Sequence, residues 1–256
     1  MDYENLILTK EEHLGIITIN HPPANAFNFA TLNDFDQALD ELENDKEIRA
    51  VVITGAGEKG FSAGFDVSDA AHLEECGPKG SALWTRVERF PKPVIAAING
   101  FAFGGGCELA LACHFRIMID APKAKIGLTE LNLGIIPGWG GTQRMTRVVG
   151  KAKALDLILF SKRLSAPEAM EIGLIDKISL PGEAVKDALD FAGKLSERPP
   201  LAVGCVLKAI AAYLDDGIDE GLRVEQEGIQ SIRNSKDAQE GFTAFFEKRK
   251  PVFTGE

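Results

Sequence analysis

Two carboxylates beside glycine-rich turns are the residues of this 256-residue chain best suited to acid–base chemistry. Glu108 directly follows a run of three glycines and a cysteine and precedes an apolar segment, and Glu130 follows the turn 127–129 in an apolar stretch. Burial among apolar neighbours raises the pKa of a carboxyl group toward values useful for proton transfer at neutral pH. A helix cap or a salt bridge is the structural alternative for each glutamate.

The glycine run 104–106 predicts a site for an oxyanion beside Glu108. Glycine carries no Cβ, so the backbone can adopt positive φ and a ligand can approach its N–H groups closely. If residues 107–113 form a helix, these N–H groups lie at its N-terminus, where the first donors lack intrahelical partners and negative charge is favoured. The alternative is that the glycines only allow tight packing of a strand against a helix.

Alternating strands and helices are predicted to position these residues. Short apolar, β-branched runs predict strands at 6–9, 14–20, 50–54, 94–98 and 115–119. Helical periodicity predicts helices at 31–44, with Thr31 as its cap, and at 83–90, whereas 66–80 reads as a loop or a weak helix. Beyond residue 138 helical patterns dominate. This order is typical of an α/β fold with a mostly parallel sheet in layers.

Two familiar motifs overlap between residues 55 and 64, and both lack their structural context. Gly55, Gly57 and Gly60 match the dinucleotide-binding fingerprint, but no helical pattern follows to hold a pyrophosphate. Ser62 lies in a G-x-S-x-G sequence, the nucleophile elbow of serine hydrolases, yet the required strand ending at the serine and helix leaving it are not predicted. Dinucleotide binding is therefore disfavoured, and a serine hydrolase stays a remote alternative.

Composition disfavours several classes of protein. The net charge of −10 and a pI near 5.0 argue against nucleic-acid binding. Four histidines without ligand spacing predict no metal site. Residues 94–113 are apolar enough to suggest a membrane span, but their glycines and Glu108 favour a strand, turn and helix instead. Four cysteines without a C-x-x-C pair, and no leader-like N-terminus, predict a reduced, cytoplasmic protein.

Three sequence blocks, at 61–66, 99–110 and 127–138, resemble the signature blocks of the crotonase, or enoyl-CoA hydratase, family. The segments 23–27 and 246–251 are also similar to that family. The resemblance implies an α/β fold: a spiral of ββα units over 1–195 and a helical trimerisation region over 196–256. It further implies trimers or pairs of trimers that act on acyl-coenzyme A thioesters and need no metal or redox cofactor.

The resemblance also assigns roles to individual positions. The backbone N–H groups of Phe65 and Gly105 would form an oxyanion hole, and Glu108 and Glu130 occupy the positions of the two catalytic carboxylates of hydratases. Glu130 is expected to donate a proton to C2, and Glu108 to activate the water. The remaining expected contacts are Gly138 beside the reacting water and main-chain contacts to the adenine end of coenzyme A from Ala24, Asn25, Ala26, Ala63 and Asp66.

The predicted function is addition of water across the 2,3 double bond of a 2-enoyl-CoA to give a 3-hydroxyacyl-CoA. Three departures from the family pattern leave the acyl group open. Phe65 is bulkier than the alanine or leucine common there, His114 stands where aspartate is common, and the connection from Glu108 to Glu130 is slightly longer than in some members. The alternatives are an enoyl-CoA isomerase, a hydratase of a cyclic or aromatic acyl-CoA, a serine hydrolase using Ser62, and a non-catalytic binding protein of the same fold. The presence of both glutamates disfavours the last.

Overall fold

A computed structural model describes residues 3–57 and 59–256 and shows strands and helices alternating along the chain. The strands are β1 (Leu6–Glu11), β2 (Leu14–Ile19), β3 (Ala50–Gly55), β4 (Gly60–Ser62), β5 (Val94–Ile98), β6 (Phe101–Phe103), β7 (Phe115–Ile119), β8 (Ile126–Gly127) and β9 (Lys177–Ser179). The helices are α1 (Phe29–Asn44), α2 (Leu73–Glu88), α3 (Gly105–Ala112), α4 (Gly141–Val149), α5 (Lys151–Leu159), α6 (Ala166–Glu171), α7 (Ala184–Ser196), α8 (Pro200–Asp216), α9 (Ile218–Ile232) and α10 (Lys236–Glu247).

The strands form two sheets, and successive strand–strand–helix units of the chain add strands to both. The larger sheet has the order β1-β2-β3-β5-β7-β9, and only its first pair is antiparallel. The smaller sheet has the order β4-β6-β8 and is parallel. After β3, β5 and β7 the chain crosses to the next strand of the small sheet and then enters a helix. This repeated strand–strand–helix turn confirms the predicted spiral of ββα units.

Every residue of β3 and of β5 is buried, as expected for central parallel strands covered on both faces. Helix α7 packs against β3 and β5. An aromatic cluster lies beside the N-terminal end of α3: the ring of Trp84 contacts those of Phe27, Phe35 and Trp139 edge-to-face at centroid distances of 5.0, 5.3 and 5.6 Å. The cluster ties α1, α2 and the segment before α4 together, and these elements surround the glycine run.

The predicted starts of α1 and α2 are wrong, each for a physical reason. Helix α1 begins at Phe29, because Asn28 is extended and its Oδ1 accepts the N–H of Thr31 at 2.8 Å; Thr31 is the capped residue and not the cap. Helix α2 begins at Leu73, inside the stretch interpreted as a loop or weak helix. Its buried face recurs at helical spacing, but Pro78 and two glycines in a polar sequence hide that pattern.

The last three helices differ from the rest in their burial. Helix α8 is apolar in sequence, yet none of its residues is buried, and it packs mainly on α9. Phe242, Phe245 and Phe246 of α10 are exposed by 70, 76 and 77%. The predicted boundary at 195/196 falls at the C-terminal end of α7, and the division into two regions stays a prediction. Among the described residues no helix is both long and apolar enough to cross a membrane.

Candidate active site

The glycine run joins the small sheet to helix α3 and leaves the helix N-terminus open. Gly104 is the N-cap with φ 51°, a conformation that favours glycine, and Gly105 is the first helical residue, where a helix was predicted to start two residues later. The backbone of residue 64 lies directly against it: a Cβ added to Gly64 would be 2.6 Å from the nitrogen of Gly105. The chain after β4 and the start of α3 therefore share one small backbone surface.

Two N–H groups on this surface lack acceptors. The N–H of Phe27 donates to the carbonyl of Gly64 at 2.7 Å, and the N–H of Asp66 donates to the carbonyl of Phe27 at 3.0 Å. Since alternate residues of an extended segment direct their N–H groups to opposite sides, the N–H of Phe65 points away from Phe27. Neither this group nor the N–H of Gly105 donates to any acceptor within the part of the chain that the structure describes. The two groups can serve as donors to one oxyanion.

Glu108 lies one turn into α3 and is 2% exposed. Its Oε1 accepts the N–H groups of Trp139 at 2.8 Å and of Gly141 at 2.7 Å. The pKa of Glu108 is raised to about 7, mainly by burial and also by the charge of Glu130, while the two N–H donors and Arg144 oppose the rise. A carboxyl group with a pKa near neutrality can exchange protons with water or substrate under ordinary conditions.

Glu130 begins a 3₁₀ turn at Glu130–Leu133 and is 9% exposed. Its Oε1 lies near the Gly104 turn, 3.3 Å from where a Cβ on Gly104 would stand, and its Oε2 has no hydrogen-bond partner among the described residues. Burial raises the pKa of Glu130. The sequence attributed this burial to the apolar residues that flank Glu130. That explanation is only partly right, because three of them, Leu133, Ile135 and Ile136, are themselves exposed.

The two segments predicted to hold coenzyme A lie side by side. The N–H of Ala63 donates to the carbonyl of Ala24 at 3.0 Å. Asn25 is buried with φ 52°, and its Nδ2 donates to the carbonyls of Ala56 and Gly60 at 3.0 and 2.9 Å. The side chain of Asn25 is thus part of the protein's own hydrogen bonding. Its N–H donates to the carbonyl of His21 at 2.7 Å, and the carbonyl of Ala26 lies 2.7 Å from the Nδ1 of His21. Among the described residues, the carbonyl of Asn25 and the N–H of Ala26 have no such partner and are available to a ligand.

The other two predicted contacts differ in their surroundings. The Oδ1 of Asp66 accepts the N–H of Ser68 at 2.9 Å and its hydroxyl at 2.6 Å, so this oxygen closes a local turn. Gly138 is exposed, and a Cβ added there would meet no atom within 4 Å. Open space therefore exists beside Gly138.

Sequence reasoning missed two residues of the site, Trp139 and Arg144. The indole of Trp139 packs over Gly80 and Gly105 and stands edge-on to the ring of Phe65 at 6.2 Å. Arg144 is 6% exposed, and its Nη1 donates to the carbonyl of Trp139 at 2.7 Å. The only sequence signal for Trp139 was its place among glycines. Nothing in the sequence indicated that Arg144 is buried.

Ser62 lacks the geometry of a nucleophile elbow. It is fully buried at the end of β4, no helix follows it, and its Oγ accepts the N–H of Gly64 at 3.0 Å. The dinucleotide fingerprint fails in the same way, because the glycines after β3 lead into β4 and not into a helix. In the described ranges no group of three His, Cys, Asp or Glu side chains could hold a metal ion, and the lack of a metal requirement stays a prediction.

Comparison with known proteins identifies relatives along the whole chain. The sequence model of the family described as "Enoyl-CoA hydratase/isomerase" matches residues 9–256. The short-chain-enoyl-CoA hydratase of Clostridium acetobutylicum is 42% identical over 98% of this chain and 97% of its own. The crotonyl-CoA hydratase of Syntrophomonas wolfei is 40% identical over 99% of both. The crystal structure of an enoyl-CoA hydratase from Bacillus anthracis superposes with a TM-score of 0.94 at 37% identity, covering 99% of this chain and 100% of that one.

Proposed function

Because the chain belongs to the enoyl-CoA hydratase/isomerase family, we propose that it adds water to 2-enoyl-CoA thioesters to give 3-hydroxyacyl-CoA. One observation carries the proposal: two buried carboxylates, Glu108 and Glu130, lie close to a backbone turn that presents N–H groups without an acceptor among the described residues. Relatives named short-chain-enoyl-CoA and crotonyl-CoA hydratases support the same activity.

In the proposed reaction the thioester oxygen accepts hydrogen bonds from the N–H groups of Phe65 and Gly105. These donors are fixed by the backbone before substrate arrives, so they stabilise the negative charge that develops on this oxygen without reorganisation. The N-terminus of α3 adds its positive pole at the same point. Electron withdrawal through the conjugated system leaves C3 electrophilic and open to attack by water.

The two carboxyl groups divide the proton transfers. Glu108 accepts a proton as the water oxygen bonds to C3, and Glu130 donates a proton to C2, so one water is added in total. Two N–H donors on Oε1 stabilise the ionised form of Glu108. The Oε2 of Glu130 has no donor, so an acyl group that excludes water from it would favour its protonated form. Gly138 borders the open space in which the water would stand.

We further propose that the main chain of Ala24, Asn25 and Ala26, together with the segment from Ala63 to Asp66, holds the adenine end of coenzyme A. Hydrogen bonding between the two segments keeps their backbones together. Coenzyme A enters and leaves as part of the substrate, and the proposed chemistry needs no other cofactor.

Hydration of crotonyl-CoA by the purified protein tests the function. We expect loss of the absorbance of the conjugated double bond and formation of 3-hydroxybutyryl-CoA, with one deuterium at C2 when the reaction is run in D₂O. Conversion of a 3-enoyl-CoA to a 2-enoyl-CoA without any hydration would indicate an isomerase instead. Labelling of Ser62 by a fluorophosphonate, with activity lost in Ser62→Ala, would show a serine hydrolase.

We also propose that the chain assembles as a homotrimer or a pair of trimers and acts in the cytoplasm. Helix α8 has no buried residue, and three exposed phenylalanines of α10 border a cavity of about 510 Å³. Both observations support an interface formed by the C-terminal helices. All four cysteines are free thiols, which agrees with a reducing compartment. A monodisperse monomer in light scattering at micromolar concentration would contradict the assembly, and cell fractionation tests the location.

A further inference from the structure

Arg144 connects helix α2 to the turn that binds Glu108. Its Nη1 donates to the carbonyl of Trp139 at 2.7 Å. On its other side the guanidinium pairs with Glu88 of α2, with Nε and Nη2 at 3.0 and 2.9 Å from the same carboxylate oxygen, and Nη2 lies 3.2 Å from the hydroxyl of Thr85. A buried arginine with all these partners is fixed in place.

The turn 139–141 is shaped to fit this guanidinium. Gly140 has φ 98°, and a Cβ added there would overlap the Nη1 of Arg144. The turn then directs the N–H groups of Trp139 and Gly141 at the Oε1 of Glu108. One continuous path of charge-assisted and backbone hydrogen bonds therefore runs from Glu88 through Arg144 and the turn to the Glu108 carboxylate.

We propose that Arg144 is a positioning residue: it holds the turn 139–141, and through it the Glu108 carboxylate, in the geometry needed to take a proton from water. The inference rests on the proposed hydration reaction. Arg144 does not touch the substrate in this role. It fixes two donors, and the donors fix which oxygen of Glu108 is bound and which is free.

The charge of Arg144 acts on Glu108 as well. The titratable groups facing Glu108 are Cys107 beside it on α3, Glu130 from the 3₁₀ turn and Arg144 from α4, while Glu88 of α2 is bound to Arg144. Of these, Arg144 is the cation that lowers the pKa of Glu108. Loss of Arg144 removes a positive charge and loosens two N–H donors, and both changes favour the protonated carboxyl group.

Arg147 provides a matched control on the same helix. Its Nη1 lies 3.2 Å from the other oxygen of Glu88, and its Nη2 lies 3.0 Å from Asp215. Its recorded hydrogen bonds go to Glu88, Leu214 and Asp215, and none goes to the turn 139–141. Arg147→Met thus removes one cation and one partner of Glu88 but leaves the path to Glu108 intact.

Kinetics of Arg144→Met, Arg144→Lys and Arg147→Met on crotonyl-CoA test the proposal. For Arg144→Met we expect kcat to fall by about 10²-fold, the scale of a misplaced catalytic group, with affinity for saturated butyryl-CoA unchanged. The acid limb of kcat/KM should move to higher pH, because Glu108 must be ionised to act as the base. Arg144→Lys keeps the charge, but one ammonium group cannot reach all the hydrogen-bond partners of the guanidinium. Its kcat should therefore fall, with a smaller shift of the acid limb of kcat/KM than in Arg144→Met. Arg147→Met should stay within about twofold of the native kcat.

Three outcomes would overturn the proposal: equal losses in Arg144→Met and Arg147→Met, an unshifted acid limb in Arg144→Met, or full kcat in that variant. If Arg144→Met fails to fold, Arg144→Lys carries the test. It keeps the positive charge but cannot span the same partners, so full kcat in this variant contradicts the proposal.

A second readout separates this inference from the proposed function. The Glu108 carboxyl band can be titrated by infrared difference spectroscopy between the native protein and Glu108→Gln. Its titration should move to higher pH in Arg144→Met even if the protein hydrates no enoyl-CoA. Absence of hydration in the native protein refutes the function alone, whereas an unmoved Glu108 titration in Arg144→Met refutes the role of Arg144.

Discussion

The two carboxyl groups of the site are held in different ways. Glu108 has two N–H donors on one oxygen and is almost fully buried, whereas Glu130 is slightly more exposed and has an oxygen without a partner. A bound oxygen keeps the first group in one orientation, and the unbound oxygen leaves the second free to meet a substrate atom. This difference supports the proposed assignment of the base to Glu108 and of the acid to Glu130.

Replacing either glutamate by glutamine removes a proton-transfer group but little volume. We expect Glu108→Gln and Glu130→Gln each to lower kcat by about 10²–10⁴-fold, the usual contribution of general acid–base catalysis. Calorimetric binding of butyryl-CoA should persist, because the N–H groups of Phe65 and Gly105 are untouched. Native turnover of every accepted enoyl-CoA by both variants, with chemistry rate-limiting, would refute the carboxylate mechanism.

Burial of Glu108 has a cost in stability whose sign follows from its pKa. The folded pKa of about 7 exceeds the ordinary value of 4.5, so the folded state holds a proton that the unfolded chain releases between these pH values. The free energy of unfolding therefore falls as pH rises from about 4.5 to 7, by at most about 3 kcal/mol.

The glutamine of Glu108→Gln cannot ionise. The free energy of unfolding of this variant minus that of the native protein should therefore be more positive at pH 8 than at pH 5. Denaturant unfolding at both values and at one protein concentration measures this. Glu171→Gln, an exposed change on α6, serves as the control and should show no such difference. An equal effect of Glu108→Gln at both pH values would contradict the elevated pKa.

At the scale of elements, the absence of a side chain at Gly141 allows the Glu108 carboxylate to lie against the backbone at the start of α4. A Cβ on Gly141 would lie 2.9 Å from the Cγ and 3.0 Å from the Oε1 of Glu108. Gly141→Ala should therefore displace Glu108 and lower kcat by about tenfold or more, since a shift of 1 Å can cost 10²-fold. Steady-state assays with Gly193→Ala as control test this, because a Cβ at that position in α7 meets no atom within 4 Å. Equal kcat values for Gly141→Ala and the native protein would show that Glu108 tolerates the displacement.

How far the sequence predicts these elements depends on their length and their apolar pattern. The five longer strands were predicted because each is a β-branched or apolar run, but β4, β6, β8 and β9 have only two or three residues and leave no periodic signal. The glycines and glutamates of the site were visible as residue types. The roles of Trp139 and Arg144 were not, because the contacts that bury them come from α2 and α3, distant in the chain.

At the scale of the whole molecule, the C-terminal helices leave apolar surface that the subunit itself does not cover. Phe246→Asp on α10 or Val206→Asp on α8 would place a charge where we propose that subunits meet, at residues that are 77 and 56% exposed. We expect each to shift the assembly toward monomers in analytical ultracentrifugation. Leu180→Asp, at a 73% exposed position outside these helices, should leave the assembly intact. Unchanged sedimentation of both C-terminal variants would exclude this surface as the interface.

The proposed oxyanion donors belong to the main chain, and this has a consequence for the evolution of such a site. Every residue except proline carries a backbone N–H, so Phe65 can be replaced by any other residue type without loss of the donor. The carboxylates have no such protection, because a single codon change removes either one. A protein with this arrangement can therefore still bind a thioester after residues 108 and 130 have been replaced. A new reaction can then arise before the binding of the thioester is lost.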